Sequence, residues 1–132
     1  MINAFTRRPF VPIRAVDPRT FLPLTPLVFQ VLLALADERR HGYGIIREVE
    51  TRTAGLIRLR TGTLYVLLQR LEEQHLIQES HDRPAPSDDD ERRRYYALTL
   101  LGRAVLQAEA HRLETAVGEA RRKHVLGRTS KA

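Results

Sequence analysis

The chain has 132 residues, 42% of them hydrophobic, and its 22 Lys and Arg outnumber 16 Asp and Glu for a formal net charge of +6. That length supports one buried core with appendages rather than two domains, and all but two of the basic residues are arginine, whose forked donors suit phosphate and guanine, so a polyanionic partner is favoured. With no cysteine and no apolar run near the length of a membrane span, disulfides, thiolate metal sites and a membrane partner are excluded, and the cytoplasm is the expected compartment.

Residues 1–24 set Pro9, Pro12, Pro18 and Pro23 among Arg7, Arg8, Arg14 and Arg19, which admits no long helix and reads as a basic, Pro-rich extended arm. Phe5, Phe10, Ile13, Phe21 and Leu22 are candidates to dock it locally. Such an arm either reaches a groove or phosphates or is an ordinary poorly ordered terminus. The Arg7-Arg8 pair superficially matches a twin-arginine export signal, but Pro12, Arg14, Asp17, Pro18 and Arg19 interrupt the apolar region that signal needs.

Thr25-Pro26 is a helix start, with Thr25 as N-cap and Pro26 where a missing N–H costs nothing. Leu27, Val28, Val31, Leu32 and Leu35 then predict a first helix to about Ala36 at the centre of the core, followed by Asp37-Glu38-Arg39-Arg40 as a solvated connection. His41-Gly42-Tyr43-Gly44 opens a second helix through about Thr53, with Ile45, Ile46 and Val49 turned inward. Gly42 reads as a turn residue and Gly44 as a close-packing position; without a preceding strand or a third glycine they make no phosphate loop. Ile57-Arg58-Leu59 alternates apolar and charged residues and predicts a very short strand after the Gly55 turn.

Leu64, Leu67, Leu68 and Leu71 recur at i, i+3, i+4 and i+7, so a third helix from Thr61 buries one face. Gly62, Val66, Gln69 and Glu73 centre its other face, with Thr63, Tyr65 and Arg70 at the edges. A plain surface helix would show the same stripe, yet this mixture also suits a DNA major groove, which admits one α-helix. Leu76 to His81 and Arg93 to Leu98 read as the strands of a hairpin, and the Pro- and Asp-rich stretch between them as a loop. Thr99 is the expected N-cap of a final helix from Leu100 to about His124. One apolar stripe of that helix is Leu98, Leu101, Val105 and Ala108; a second, Leu106, Ala110, Leu113, Val117 and Ala120, steps 4, 3, 4, 3 as a coiled-coil seam does. The first is expected to pack on its own domain and the second on another protomer, making a homodimer; the alternative is that the second folds back on the same domain or arm.

The fold class is therefore mainly α with a small β-hairpin wing: a winged helix-turn-helix plus a long C-terminal dimerisation helix. The divisions are a 1–24 arm, a 25–98 DNA-binding domain, a 99–126 dimerisation helix and a 127–132 tail. His41-Gly42-Tyr43-Gly44-Ile45, Thr61-Gly62-Thr63-Leu64-Tyr65 with Leu68 and Leu71-Glu72-Glu73, and Arg94-Tyr95-Tyr96 with Leu98-Thr99 and Gly102 resemble, in order and spacing, the PadR family of bacterial transcriptional regulators in its short form with one C-terminal helix. The resemblance covers about residues 24–124. It departs at His75, where the family usually has Gly, at Val66, where Pro often follows the motif Tyr, and in the acidic wing tip from Asp88 to Glu91.

The chemistry this resemblance implies is DNA binding. Thr61 opens the helix that enters the major groove beside Arg60, and Gly62 lets its first turn approach closely. Thr63 and Tyr65 offer hydroxyls, Gln69 suits adenine, Arg70 guanine or phosphate, and Val66 a thymine methyl. Tyr65 has a packing role as its alternative. Tyr43 and Arg47 of the second helix are candidate phosphate contacts, as are Arg92, Arg93 and Arg94 of the wing, one of which is expected to shield the hairpin or pair with the acidic tip. A dimer predicts a pseudo-palindromic operator on double-stranded DNA with half-sites about one or two helical turns apart. The resemblance implies a repressor, released by a small-molecule effector or partner at the dimer interface, where Leu27, Val28, Phe29 or Leu106 are candidate lining. The five histidines show no metal-ligand spacing and no Ser or carboxylate pair sits in a catalytic motif, so neither metal, cofactor nor enzyme activity is expected. The rival reading is a protein-interaction module built on the same winged helix.

Overall fold

A computed structural model describes residues 16–80 and 94–127. A 3-10 turn, Pro18–Phe21, precedes α1 (Pro26–Ala34), β1 (Arg40–His41), α2 (Gly42–Arg52), α3 (Thr61–Glu73), β2 (Ile77–Ser80), β3 (Tyr95–Leu98) and α4 (Leu100–Arg122). The three helices α1 to α3, an antiparallel sheet of order β1-β3-β2 and the long α4 form a winged helix-turn-helix with an added C-terminal helix.

Local chemistry places the helix starts. Thr25 accepts from the Val28 N–H at 3.2 Å and Thr99 from the Gly102 N–H at 2.9 Å, each satisfying a donor that has no partner inside the helix. At α2 the cap is His41, whose Nδ1 accepts from the Gly44 N–H at 3.1 Å. α1 stops at Ala34, two residues short of the expected end, and its terminal carbonyls are taken by arginines from elsewhere. Arg40 Nε donates to the Ala34 oxygen at 2.7 Å and Arg103 Nη2 to the Ala36 oxygen at 3.0 Å. Arg40 thus does not belong to a solvated connection; with His41 it pairs as an edge strand, opposite Tyr96 and Tyr95 of β3.

That edge explains why Ile57-Arg58-Leu59 forms no strand. One side of β3 is occupied by β1 and the other by β2, whose Ile77 faces Leu98 and Ser80 faces Tyr95. The Ile57 N–H instead donates to Thr53 Oγ1 at 3.1 Å, and Leu59 turns into the core. At the end of α3, His75 takes the left-handed conformation with φ 64°, and the Leu76 N–H reaches back to the Leu71 oxygen at 3.0 Å. A residue with a Cβ costs roughly 1–2 kcal/mol there relative to glycine.

The core joins Val31, Leu32 and Leu35 of the first helical segment, Ile45 and Val49 of α2, Leu64, Leu68 and Leu71 of α3, Leu76, Ile77 and Tyr96 around the wing base, and Leu101, Val105 and Leu106 of α4. Each fully buried Leu or Ile contributes about 1.5–3 kcal/mol. Core packing therefore continues across residue 98 into the first half of α4. The N-terminal part of α4 is stapled down by backbone: the Thr99 N–H donates to the Leu76 oxygen at 3.1 Å and the Thr99 hydroxyl to the His75 oxygen at 2.6 Å. A Cβ at Gly102 would overlap the Leu76 carbonyl oxygen, so only glycine permits this approach.

Part of the expected arm is folded. Val16, Phe21, Leu22 and Leu24 pack against the core, Asp17 caps the 3-10 turn through the Arg19 N–H, and the Leu24 N–H donates to Glu109 Oε2 of α4 at 3.1 Å. The reading of residues 1–24 as an extended arm is corrected from Val16 onward; its first fifteen residues, the wing tip with its acidic run from Asp88 to Glu91, and tail residues 128–132 lie outside the described residues.

Candidate nucleic-acid interface

The leucine stripe of α3 does what its spacing predicts: Leu64, Leu68 and Leu71 are buried, while Thr61, Gly62, Thr63, Val66, Gln69 and Arg70 are exposed. The N-cap of α3 is Arg60, which makes no side-chain capping bond, so among the described residues the first-turn N–H groups have no side-chain cap. A helix end in that state carries partial positive charge and free donors, the combination that attracts phosphate. Gly62 has nothing within 4 Å of where a Cβ would sit, so the turn offers an unobstructed backbone. Arg60 and Arg70 are exposed and make no ion pair among the described residues.

Tyr43 and Arg47 stand one turn apart on α2, with the Arg47 guanidinium carbon 5.7 Å from the Tyr43 ring centroid. Tyr43 is 57% exposed, and its ring stacks on His41 at 6.4 Å between centroids. The aromatic surface holds the cation while leaving its outer edge to solvent.

Of the three wing arginines, Arg92 and Arg93 lie outside the described residues. Arg94 is exposed but engaged: its Nε is 3.5 Å from Glu79 Oε2 of β2, and its guanidinium lies beside the Tyr96 hydroxyl. Both contacts favour the charged guanidinium and raise its pKa, with the Tyr96 hydroxyl contributing most. Burial pushes the Tyr96 phenol up against the opposing pull of Arg94. Arg94 thus shields the hairpin, and its partner is Glu79. Between α3 and the wing base, Tyr65, Gln69, Glu72, Arg94 and Tyr96 line a polar cleft.

The dimerisation seam divides. Leu106 is 7% exposed and belongs to the domain's own core, which corrects its assignment to a protomer interface and removes it as candidate lining there. The reason is that the globular body extends nearly to Glu109. Beyond it, Ala110 is exposed, Leu113 and Val117 are 36% and 44% exposed, and Ala120 is half-buried. Phe29 of α1 joins Ala110, Leu113 and Val117 along an open groove rimmed by His111, Glu114 and Arg121. Leu27 and Val28 pack against the core instead.

Three features escaped sequence reasoning. Gly42, not Gly44, is the close-packing position: a Cβ on it would sit 2.7 Å from Tyr65 Cζ, whereas one on Gly44 would meet His41 Cε1 at an ordinary 3.5 Å. Glu109 is a buried carboxylate, 2% exposed, holding Arg112 by two bonds of 2.6 and 2.9 Å as well as the Leu24 N–H. Arg112 and, against the cost of burial, the Leu24 N–H hold its carboxyl below the ordinary carboxylate range. Neither had a signal in local periodicity, because both depend on partners distant in sequence. The third is the use of Arg40 and Arg103 to close α1. Among the described residues no three His, Asp or Glu side chains stand together as metal ligands do, and no helix is long and apolar enough to cross a membrane.

Known proteins share both the fold and its sequence pattern. Residues 31–108 match the family model of the transcriptional regulator PadR-like family. An uncharacterized protein X of Lysinibacillus sphaericus is 33% identical over 76 residues, 58% of this chain and 67% of that protein. An uncharacterized 37.1 kDa protein of a Streptomyces fradiae transposon is 40% identical over 81 residues, 61% of this chain but only 21% of that longer protein. Among solved structures, a PadR family transcription regulator of Clostridium difficile is similar with a TM-score of 0.61 at 23% identity, covering 74% of this chain and 97% of that one. RosR of H. salinarum is similar with a TM-score of 0.55 at 27% identity, covering 80% and 89%.

Proposed function

Since the chain belongs to the PadR-like family of transcriptional regulators, we propose that it is a homodimeric, sequence-specific DNA-binding repressor acting in the cytoplasm. The observation that carries this reading is α3, which buries its leucines and presents Thr61, Gly62, Thr63, Val66, Gln69 and Arg70 on an open face behind an uncapped first turn. In the major groove, Arg60 and the first-turn N–H groups of α3 take a phosphate, Gln69 and Arg70 read base edges, and Val66 meets a thymine methyl. Tyr43 and Arg47 hold the flanking backbone, and Arg92 and Arg93 of the wing approach the next phosphates, with Arg94 keeping the hairpin in place.

Two copies joined through Ala110, Leu113, Val117 and Ala120 set the spacing of the recognition helices and so call for a pseudo-palindromic operator. A small molecule or partner that binds the Phe29 groove preferentially in a dimer of the wrong spacing would release the DNA, since only differential affinity for two states shifts their balance.

The test is binding of the purified chain to duplex from its own promoter region, at two salt concentrations and against unrelated competitor. Competitor-resistant binding that weakens steeply with salt is expected; binding that competitor abolishes would defeat the reading. Replacing Gln69 and Arg70 with Ala is expected to lower operator affinity at least about tenfold with the dimer intact, each good base contact being worth about 1–3 kcal/mol.

A further inference from the structure

Gly42 is buried at the first position of α2, and the space around it is closed by Tyr65. An added Cβ would lie 2.7 Å from Tyr65 Cζ and closer still to the Tyr65 hydroxyl oxygen. We propose that Gly42 is a positioning residue for DNA recognition: the space left by its missing side chain seats the Tyr65 ring across the start of α2, and this seat fixes the pose in which the ring stands beside the exposed face of α3. The proposal rests on the DNA-binding reading above.

The contact stands where three such parts meet. Tyr65 is the fifth residue of α3, one turn from its uncapped start. The residue before Gly42, His41, lies edge-on to Tyr95 of β3 at 5.2 Å, and the residue after it, Tyr43, carries Arg47 over its ring. Tyr65 also lines the cleft it shares with Gln69, Arg94 and Tyr96. The ring therefore lies against the start of α2 and along the cleft between α3 and the wing base. It remains 45% exposed, so its burial contributes little to the core compared with Leu64 or Leu68.

The atoms in the way are the far end of the Tyr65 side chain, so opening a 2.7 Å approach to ordinary carbon contact swings that ring by about 1 Å about its own bonds. Such a swing misplaces a ring that stands beside the exposed face of α3 and stretches any hydrogen bond its hydroxyl makes to DNA beyond the usual range, while leaving long-range attraction to phosphates in place. Specific binding is then lost selectively. A variant that merely unfolds part of the protein would lower specific and non-specific binding together.

The experiment uses the full chain, duplex selected by it from a random-sequence pool, and unrelated duplex at the same salt. Gly42→Ala is expected to lower the ratio of specific to non-specific affinity about tenfold or more, with non-specific affinity and oligomeric state retained. Made in a Tyr65→Phe background, which removes the nearest atom, it should lower the ratio less; made in a Tyr65→Ala background, less than twofold. Equal losses in all three backgrounds, or an unchanged ratio for Gly42→Ala alone, would overturn the proposal. If Gly42→Ala does not fold, a folded Gly42→Ala/Tyr65→Ala chain with the ratio of Tyr65→Ala supports it, and an unfolded one overturns it. Absence of any preference by the unmodified chain would instead defeat the underlying DNA-binding reading, and that result is seen before any variant is made.

Discussion

The two halves of α4 are written in similar residues and meet opposite surroundings. Leu101, Val105 and Leu106 are sealed in the core, whereas Leu113 and Val117, which continue the seam begun at Leu106, are left open beside Phe29. A continuous 4, 3, 4, 3 repeat therefore does not identify one partner. It says only that a helix has an apolar face; where the globular body stops decides what covers it. Here the boundary is marked by Glu109, buried against Leu24 and Arg112, one residue before the first exposed seam position.

The comparison can be broken most severely at the buried end. Gly102→Ala drives a Cβ into the Leu76 carbonyl, a backbone group that cannot swing aside, and is expected to cost about 3 kcal/mol or more, read as a fall in denaturant midpoint with unchanged slope. Leu106→Ala, by leaving a cavity, is expected to cost about 2–5 kcal/mol of folding stability. Measured by sedimentation at concentrations where it stays folded, it should leave self-association nearly unchanged; a large loss of dimer would return Leu106 to the interface.

The open half should answer in reverse. Leu113→Asp removes no core contact, so the thermal midpoint of the domain should hold at dilutions where both chains are monomeric, while an unpaired carboxylate in a dimer seam is expected to weaken self-association about 100-fold. An unchanged dimer constant would show that the seam pairs with nothing.

The smallest expected effect lies at the boundary. Glu109→Gln keeps an acceptor for Leu24 but loses the charge that holds Arg112, at an expected cost of about 1–2 kcal/mol. Because the folded carboxyl lies below its ordinary range, the wild-type contribution is fully present above that range and is lost as the pH falls through the lower folded value. The stability gap between wild type and Glu109→Gln should accordingly close on acidification, and a gap that persists unchanged into strong acid would rule out the charge as its source.

How much was legible from residues alone depends on the range of each interaction. Thr25, Pro26 and Thr99 announced their helix starts because a cap is settled within three residues, and the leucines of α3 announced their face because helical geometry repeats every 3.6 residues. The exposed side of α3 came from the same periodicity. By contrast, Ile57-Arg58-Leu59 alternated like a strand and had no free sheet edge to join, while Arg40, read as part of a solvated connection, and His41, read as opening the second helix, occupied that edge. Alternation is a necessary condition for a half-buried strand, and pairing supplies the rest.

The amino-acid sequence by itself determined the order of the elements, the faces of the helices, the exposed polar face of α3 and the family, since each is encoded in neighbours a few positions apart. Tertiary structure alone decided that residues 16–24 fold onto α4, that Glu109 is buried, that Gly42 makes room for Tyr65, and that the domain takes Leu106 for itself. Those outcomes join residues as far apart as Leu24 and Glu109, and no local pattern carries the distance between two surfaces that meet only after the chain has folded.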